Sequence, residues 1–262
     1  MTSYQPQLKL ALSAAVAAGG ILQSYVDETG RSVVHRKESF RDIATEVDTY
    51  AEQKIINILN ASSDIPVVAE ESGMSRKVDL ATGTYWIVDP LDGTVNYVSR
   101  IPFCAVSIAY VDEGKPVVGV VYNPFQNELY YGGDGLGVYK NHTRIASLNL
   151  PAGQVLCAGT FSGANHPDRD AEFNAFQKIN DATMGCLRTG SASLNLTYVA
   201  EGRLGGCFGR HTKWWDIAAG LVLARLAGAD VVYTVADPLT HSVHYVVANQ
   251  MVSSLIRNIL DI

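Results

Sequence analysis

The sequence predicts a mixed α/β protein built from two halves, and three observations carry that expectation. Strand-like and helix-like segments are mixed along the 262 residues rather than strictly alternating. The length of 262 residues corresponds to about 1.7 domains of about 150 residues each, one large unit or two modest ones. A break carrying Asn149, Pro151 and Gly153 falls near the middle, so the halves are expected at residues 1–148 and 149–262.

The elements follow in chain order. Residues 6–26 and 42–60 read as helices, the second carrying Ile43, Val47, Ala51, Ile55, Ile58 and Leu59 near helical spacing. A short strand is expected at 33–35 between them. Residues 10–26 hold no charge, yet the stretch is short for a membrane span, rich in Ala, Gly and Ser, and preceded only by Lys9. It is read as a close-packed core helix, not as a signal or membrane segment. Residues 66–69 and 85–88 are apolar runs that end in acidic residues, the way strands deliver side chains to a sheet edge. An antiparallel meander follows at 104–111, 116–122, 128–132 and 137–140, with turns at Asp112-Glu113-Gly114 and Asn123-Pro124. Past the break come a strand at 155–160, a helix near 168–180, and a helix opened by Ser191 or Ser193 and running to Ala200. A strand at 203–208, a helix at 217–227 capped by Gly228, and strands at 230–234 and 243–248 complete the chain.

Composition narrows the function. Hydrophobic residues make up 47% and charged residues 18%, enough apolar content to bury a core without disulfides. Cys104, Cys157, Cys186 and Cys207 form no C-x-x-C pair and read as free thiols of a reducing cytosol. The net charge of −6 argues against broad nucleic-acid binding, which needs a basic footprint. It leaves a small anionic substrate open, because a bound metal inverts the local field.

The densest chemistry lies in Trp86-Ile87-Val88-Asp89-Pro90-Leu91-Asp92-Gly93-Thr94. A strand delivers Asp89 at its tip, Pro90 stiffens the turn, and Gly93-Thr94 opens a helix or tight helical turn. Two carboxylates on one turn suit a hard cation such as Mg2+. The N–H groups of Gly93 and Thr94 at a helix start suit a phosphate. Taken alone, Asp-Pro and Asp-Gly would be an ordinary surface turn. Glu70-Glu71 ends the 66–69 strand, and Asp216 is expected at the N-cap of an Ala/Leu helix, where an aspartate is often only a cap.

Three segments in order, Val67-Val68-Ala69-Glu70-Glu71-Ser72-Gly73, Asp89-Pro90-Leu91-Asp92-Gly93-Thr94 and Trp215-Asp216-Ile217-Ala218-Ala219-Gly220, resemble the inositol monophosphatase family. Lys37 with Asp42-Ile43-Ala44-Thr45-Glu46-Val47-Asp48, and Gly190-Ser191-Ala192-Ser193, resemble further family segments. The resemblance spans nearly the whole chain. It implies a layered αβαβα sandwich of the inositol monophosphatase and fructose-1,6-bisphosphatase type, commonly a homodimer, acting on a small phosphate ester. It also implies two or three Mg2+ ions and inhibition by Li+. By the same resemblance, Glu70, Asp89 and the Leu91 carbonyl hold one ion, and Asp89, Asp92 and Asp216 hold a second. Thr94, bonded to Asp48, positions the attacking water. Gly93, Thr94, Gly190, Ser191 and Asp216 face the phosphate or substrate.

Physical chemistry agrees with those roles. Four carboxylates in one pocket repel unless cations are present, and two metals can clamp an in-line displacement by water without a phosphoenzyme. The family's acidic contact to substrate hydroxyls falls seven positions before Asp216, at Gly209, so that contact is missing here. Arg210 becomes the candidate substrate residue. Inositol 1-phosphate then competes with histidinol phosphate, fructose 1,6-bisphosphate and 3′-phosphoadenosine 5′-phosphate as substrate. A catalytically weak regulatory member is the alternative from another class. Leu91-Asp92-Gly93-Thr94 also echoes the haloacid-dehalogenase motif, but Asp89 stands one residue too far upstream. Residues 133–137 read as a hairpin turn rather than a nucleotide loop. His241 and His244, three apart on a strand or loop, fall on opposite faces and make a poor zinc pair.

Overall fold

The computed structural model describes residues 4–29, 34–36, 43–162, 166–237 and 241–262. The first elements are α1 (Gln5–Thr29), β1 (Val34–Arg36), β2 (Ile43–Thr45), α2 (Glu46–Ser62), β3 (Val67–Ala69) and β4 (Gly73–Met74). Then come β5 (Tyr85–Asp92), α3 (Thr94–Val98), β6 (Ala105–Asp112), β7 (Lys115–Asn123), β8 (Glu128–Gly133), β9 (Gly137–Lys140) and β10 (Thr143–Arg144). The remainder is β11 (Leu156–Thr160), α4 (Arg169–Ala182), β12 (Gly185–Leu187), α5 (Ala192–Glu201), β13 (Gly206–Lys213), α6 (Trp214–Leu226), β14 (Asp230–Asp237), β15 (Ser242–Ala248) and α7 (Ser253–Leu260).

Among the described residues these form a large sheet of order β10-β9-β8-β7-β6-β5-β3-β4 and a smaller one of order β12-β11-β13-β15-β14. Strand alternation sorts the side chains into layers. Trp86, Val88, Val106, Ile108, Val118 and Val120 leave one face of the large sheet and pack on Ala11, Ala15, Ala18 and Leu22 of α1 and Ala51 and Ile55 of α2. Tyr85, Ile87, Ala109, Val121 and Tyr130 leave its other face and meet α5 and α6 through Leu196, Val199, Ile217 and Leu221. The smaller sheet closes on that same middle layer with Ala158, Cys207, Tyr245 and Val247. Its far face, Cys157, Phe208, Val246 and Ala248, packs on Ala175 and Ile179 of α4 and Ile256 and Leu260 of α7. The result is the αβαβα sandwich, with a middle helical layer shared by both sheets.

Helix α1 is long and apolar enough to cross a membrane by length and composition. Its alanine stripe is fully buried against α2 and the large sheet, which accounts for the uncharged run as core packing.

Several boundaries differ from expectation. Residues 43–45 are strand, paired antiparallel with 34–36, and α2 begins at Glu46 rather than 42. Strand β13 runs over Gly206–Lys213 instead of 203–208, because Gly202 in the left-handed region ends α5 and Arg203–Gly205 is consumed in the turn. Helix α6 begins at Trp214, so Asp216 lies in its first turn and Lys213 takes the cap position. Lys37 and Asp42 lie outside the described residues.

Candidate functional site

Parallel pairing of β3 with β5 brings the C-terminal ends of both strands to one edge of the large sheet. Glu70 follows β3 directly, and its N–H donates to the Val88 carbonyl at 3.2 Å. The chain beyond is pinned by buried Glu52 of α2, whose carboxylate accepts the Glu71 and Ser72 N–H groups at 2.9 Å each. Strand β5 does not end at Asp89 as expected. Its register against β6 slips between Asp89, opposite Ser107, and Asp92, opposite Ala105. That is a bulge holding Pro90, a residue with no N–H to lose there. Asp89 Oδ1 accepts the Leu91 N–H at 2.8 Å and fixes the bulge from within. The helix α6 completes the group: Ser107 of β6 donates to the Trp215 carbonyl at 3.2 Å, tethering the turn that carries Asp216.

The outcome is a cluster in which ligand oxygens of Glu70, Asp89 and Asp216 all lie within 4.8 Å of one another. Asp89 is buried and the other two are part-buried. Burial, then the charges of Glu70, Asp92 and Asp216, push the Asp89 carboxyl well above the usual carboxylate range. Burial, then Asp92 and Glu70, does the same to Asp216, with Lys213 pulling weakly the other way. An all-oxygen set of crowded carboxylates is the chemistry that a hard divalent cation satisfies. The residues therefore fit Mg2+.

Asp92 stands outside that trio. Its Oδ2 accepts from Ser191 Oγ at 2.6 Å, Ser193 N at 2.7 Å and Ser193 Oγ at 2.5 Å, and Oδ1 accepts the Ala192 N–H at 3.3 Å. The carboxylate thus sits on the N-terminus of α5, where the helix dipole favours an anion. Burial raises its pKa even so, against the lowering by Ser191 and Ser193. Ser191, not Ser193, caps α5 by accepting the Leu194 N–H. Gly190 precedes it at φ 92°, and a Cβ there would meet Asn96 Nδ2 at 2.8 Å. Asn96 in turn donates to the Thr189 and Phe103 carbonyls, joining α3 to the start of α5.

Gly93 caps α3 at φ 98°, a left-handed turn that glycine adopts without a Cβ penalty. Thr94 Oγ1 lies 3.3 Å from Asp48 Oδ1 and 3.1 Å from the Leu91 carbonyl. Asp48 is 1% exposed and occupies the first turn of α2, again on the positive end of a helix. A hydroxyl held between a buried carboxylate and the bulge can relay one proton.

Arg210 does not face this site. Its guanidinium donates to the Leu260 carbonyl at the end of α7, on the far side of the smaller sheet. The reason is alternation: its neighbour Gly209 faces inward, where a Cβ would meet Thr212 Oγ1 at 2.6 Å and Tyr245 Cε1 at 2.7 Å. The Tyr245 ring and Thr160, hydrogen-bonded to each other at 2.9 Å, fill the space in which an acidic side chain would have stood. Glu52 and Ser107 are positioning residues that sequence reasoning missed, since each acts through a partner far along the chain; Ser193, expected only as a helix opener, anchors Asp92. Phe161 turns toward Phe173 and Phe176 of α4.

Comparison with known proteins gives a consistent picture. The model of the inositol monophosphatase family matches residues 3–260. An inositol-1-monophosphatase from Synechocystis is 35% identical over 249 residues, covering 94% of this chain and 85% of that protein. The Nus factor SuhB of Escherichia coli is 36% identical over 229 residues, covering 86% of this chain and 84% of that protein. The crystal structure of the extragenic suppressor protein SuhB from Bartonella henselae superposes with a TM-score of 0.87 at 29% identity, covering 98% of each chain.

Proposed function

The chain belongs to the inositol monophosphatase family, and from that membership we propose that it is a Mg2+-dependent phosphomonoesterase acting on a small phosphorylated polyol or related metabolite, inositol 1-phosphate-like. The observation that carries this reading is the convergence of Glu70, Asp89 and Asp216 within 4.8 Å beside the Thr94–Asp48 pair. Two or three Mg2+ ions held by Glu70, Asp89, the Leu91 carbonyl, Asp92 and Asp216 would supply an activated water and neutralise the leaving oxygen.

The chain's own groups do the rest. Thr94 Oγ1 donates its proton to Asp48 and accepts one from the attacking water, so the pair orients the nucleophile and takes up its charge change. The N–H groups of Gly93 and Thr94 hold the phosphate at the start of α3. Ser191 and Ser193 keep the Asp92 carboxylate turned to the α5 terminus, and Gly190 admits Asn96 behind it. Water attacks phosphorus opposite the ester oxygen. The P–O bond to the alcohol breaks, its electron pair leaves with the alcohol oxygen, and that oxygen takes a proton from solvent.

Gly209 and the inward Tyr245 argue against a carboxylate contact to vicinal hydroxyls. Histidinol phosphate, fructose 1,6-bisphosphate and 3′-phosphoadenosine 5′-phosphate therefore stay beside inositol 1-phosphate in the substrate panel. A second reading, a regulatory member of the family, draws on the Nus factor name of the Escherichia coli relative. The retained carboxylates favour the enzyme. Phosphate release from that panel with Mg2+ and with EDTA separates the two, and no metal-dependent release from any substrate removes the enzyme reading. Inhibition by Li+, a homodimer and a cytosolic location are further expectations of the same reading.

A further inference from the structure

A second group of metal-binding side chains lies outside the carboxylate site. His166 and Asp168 stand at the start of α4, and His211 stands on the β13 bulge; one ligand atom from each lies within 4.8 Å of the others. His244 of β15 adjoins them, its ring edge-on to His211 with centroids 4.5 Å apart. Side-chain alternation places this group on the outer face of the smaller sheet. Tyr245 and Val247 point into the middle layer, so His244 and Val246 point toward α4 and α7. The group is thus separated from the carboxylates by the sheet itself.

Three features of the local structure are directed at this point. Asp168 occupies the N-cap of α4 but makes no side-chain cap bond. Its Oδ2 lies 2.7 Å from His211 Nε2 instead. The helix thereby forgoes the stabilising cap bond that an aspartate at this position ordinarily makes. His211 adopts φ 54°, a left-handed conformation uncommon for a residue with a Cβ, at the bulge between Gly209 and Thr212. The His244 Nδ1 accepts the His211 N–H at 3.2 Å and holds that turn. The His166 ring lies over His211 with centroids 3.9 Å apart, and its Nδ1 is aimed at the Asp168 N–H at 3.2 Å. Part-exposure of all these side chains leaves a way in from solvent.

We propose that His166, Asp168 and His211 bind one divalent transition-metal ion of the zinc class, in a site chemically distinct from the all-oxygen carboxylate cluster. Two imidazoles and one carboxylate suit Zn2+, Co2+ or Ni2+ and not Mg2+. Ligand atoms around a tetrahedral ion at zinc distances stand about 3.3 Å apart. The His211–Asp168 contact therefore opens by about half an ångström, while His166 closes in. His211 binds through Nε2 once its ring proton has moved to Nδ1, where Ser242 Oγ at 3.5 Å is the acceptor. His166 binds through the Nδ1 lone pair now given to the Asp168 N–H. His244 acts by positioning the bulge. The ion would clamp the start of α4 to the β13–β15 pair.

The test uses the whole protein, stripped with chelator, resupplied with saturating Mg2+ and titrated with Co2+, then with Zn2+ in competition. The expected result is one equivalent of Co2+ with the visible absorption of a four- or five-coordinate nitrogen-ligated ion, displaced by Zn2+. Affinity should fall at least about 100-fold in His166→Ala and in His211→Gly, since losing a ligand exceeds the loss from an outer-shell partner. The second variant relieves the left-handed strain and is expected to fold. Asp89→Asn should keep the spectrum. The proposal is overturned if the spectrum and stoichiometry persist in His166→Ala and His211→Gly, or if they disappear in Asp89→Asn, which would place the ion in the carboxylate cluster. Because Asp89→Asn disables only the phosphatase reading, failure of one site is distinguishable from failure of the other.

Discussion

Replacing Asp89 by Asn in the metal-free protein is expected to raise its stability, the reverse of what most buried substitutions do. Asp89 is 1% exposed, and ligand oxygens of Glu70 and Asp216 lie within 4.8 Å of its own. At an effective dielectric of about 20, an ionised pair at that separation repels by about 3.5 kcal/mol, so Asp89 meets about 7 kcal/mol from its two partners. Protonation limits the penalty. Holding a carboxyl of ordinary pKa neutral at about pH 8 costs about 6 kcal/mol, at about 1.4 kcal/mol per unit. Asn preserves the oxygen that accepts the Leu91 N–H at 2.8 Å. Asp89→Asn in excess chelator is therefore expected to gain about 2–5 kcal/mol near pH 8, a Tm higher by roughly 4 °C or more for a chain of this size.

The pH dependence has a defined sign. Burial, with the charges of Glu70, Asp92 and Asp216, raises the Asp89 pKa in the folded state. The folded protein then keeps a proton that the unfolded chain releases, so this stabilisation is complete at acid pH, below about 4, and is lost as pH rises through the raised value. Wild-type protein without metal should lose stability as pH rises above about 4, and Asp89→Asn should lose less. Mg2+ should restore the wild type and leave the variant nearly unmoved. Calorimetry in EDTA and in Mg2+ reads all of this. A variant melting below wild type in EDTA near pH 8, or a wild type whose metal-free stability rises over that window, refutes the reasoning.

Three further substitutions probe the supports of the site. Ser193→Ala removes the 2.5 Å bond to Asp92 Oδ2, and losing a bond to a buried charge should cost about 1.5–3 kcal/mol in chemical denaturation. A cost under about 0.5 kcal/mol would mean that Ser193 does not anchor Asp92. Thr94→Ala should lower kcat by about 100-fold or more while Mg2+ still raises Tm as in wild type; loss of both together would make Thr94 structural. Gly190→Ala puts a Cβ 2.8 Å from Asn96 Nδ2 at φ 92°, and should cost at least about 1–3 kcal/mol by thermal melting.

Local chemistry was the legible part of the chain. Asp89-Pro90-Leu91-Asp92-Gly93-Thr94 could be read because Pro90, Gly93 and the spacing of the acids each constrain the backbone within a few residues. Ser191 could be narrowed to one of two caps by the same logic. Asp216 was expected at a cap because aspartate favours caps. Helix α6 starts three residues earlier because the Trp214 N–H is taken by the His241 carbonyl and its indole donates to the Tyr85 hydroxyl. Those partners lie elsewhere in the chain, where local propensity carries no information. The start of α2 differs from the sequence expectation for a related reason: Ile43 continues the helical spacing, but residues 43–45 pair with 34–36. Arg210 is a candidate only as the neighbour of Gly209, the position counted back from Asp216, and that count fixes sequence distance and not the face of the strand; alternation from the inward Gly209 turns Arg210 outward. His166, His211 and His244 come from three segments, and only the register of β13 on β15 brings them together.

Glu70, Asp89 and Asp216 are proposed to form a metal-dependent phosphatase site. Its most direct test is phosphate release from inositol 1-phosphate, histidinol phosphate, fructose 1,6-bisphosphate and 3′-phosphoadenosine 5′-phosphate, by wild type and by Asp89→Asn, with Mg2+ and with EDTA. Wild type with Mg2+ should release phosphate from at least one of them. EDTA should abolish that release, and folded Asp89→Asn should be slower by at least about 100-fold. Release that is insensitive to EDTA, equal release by Asp89→Asn, or none from any substrate would contradict it.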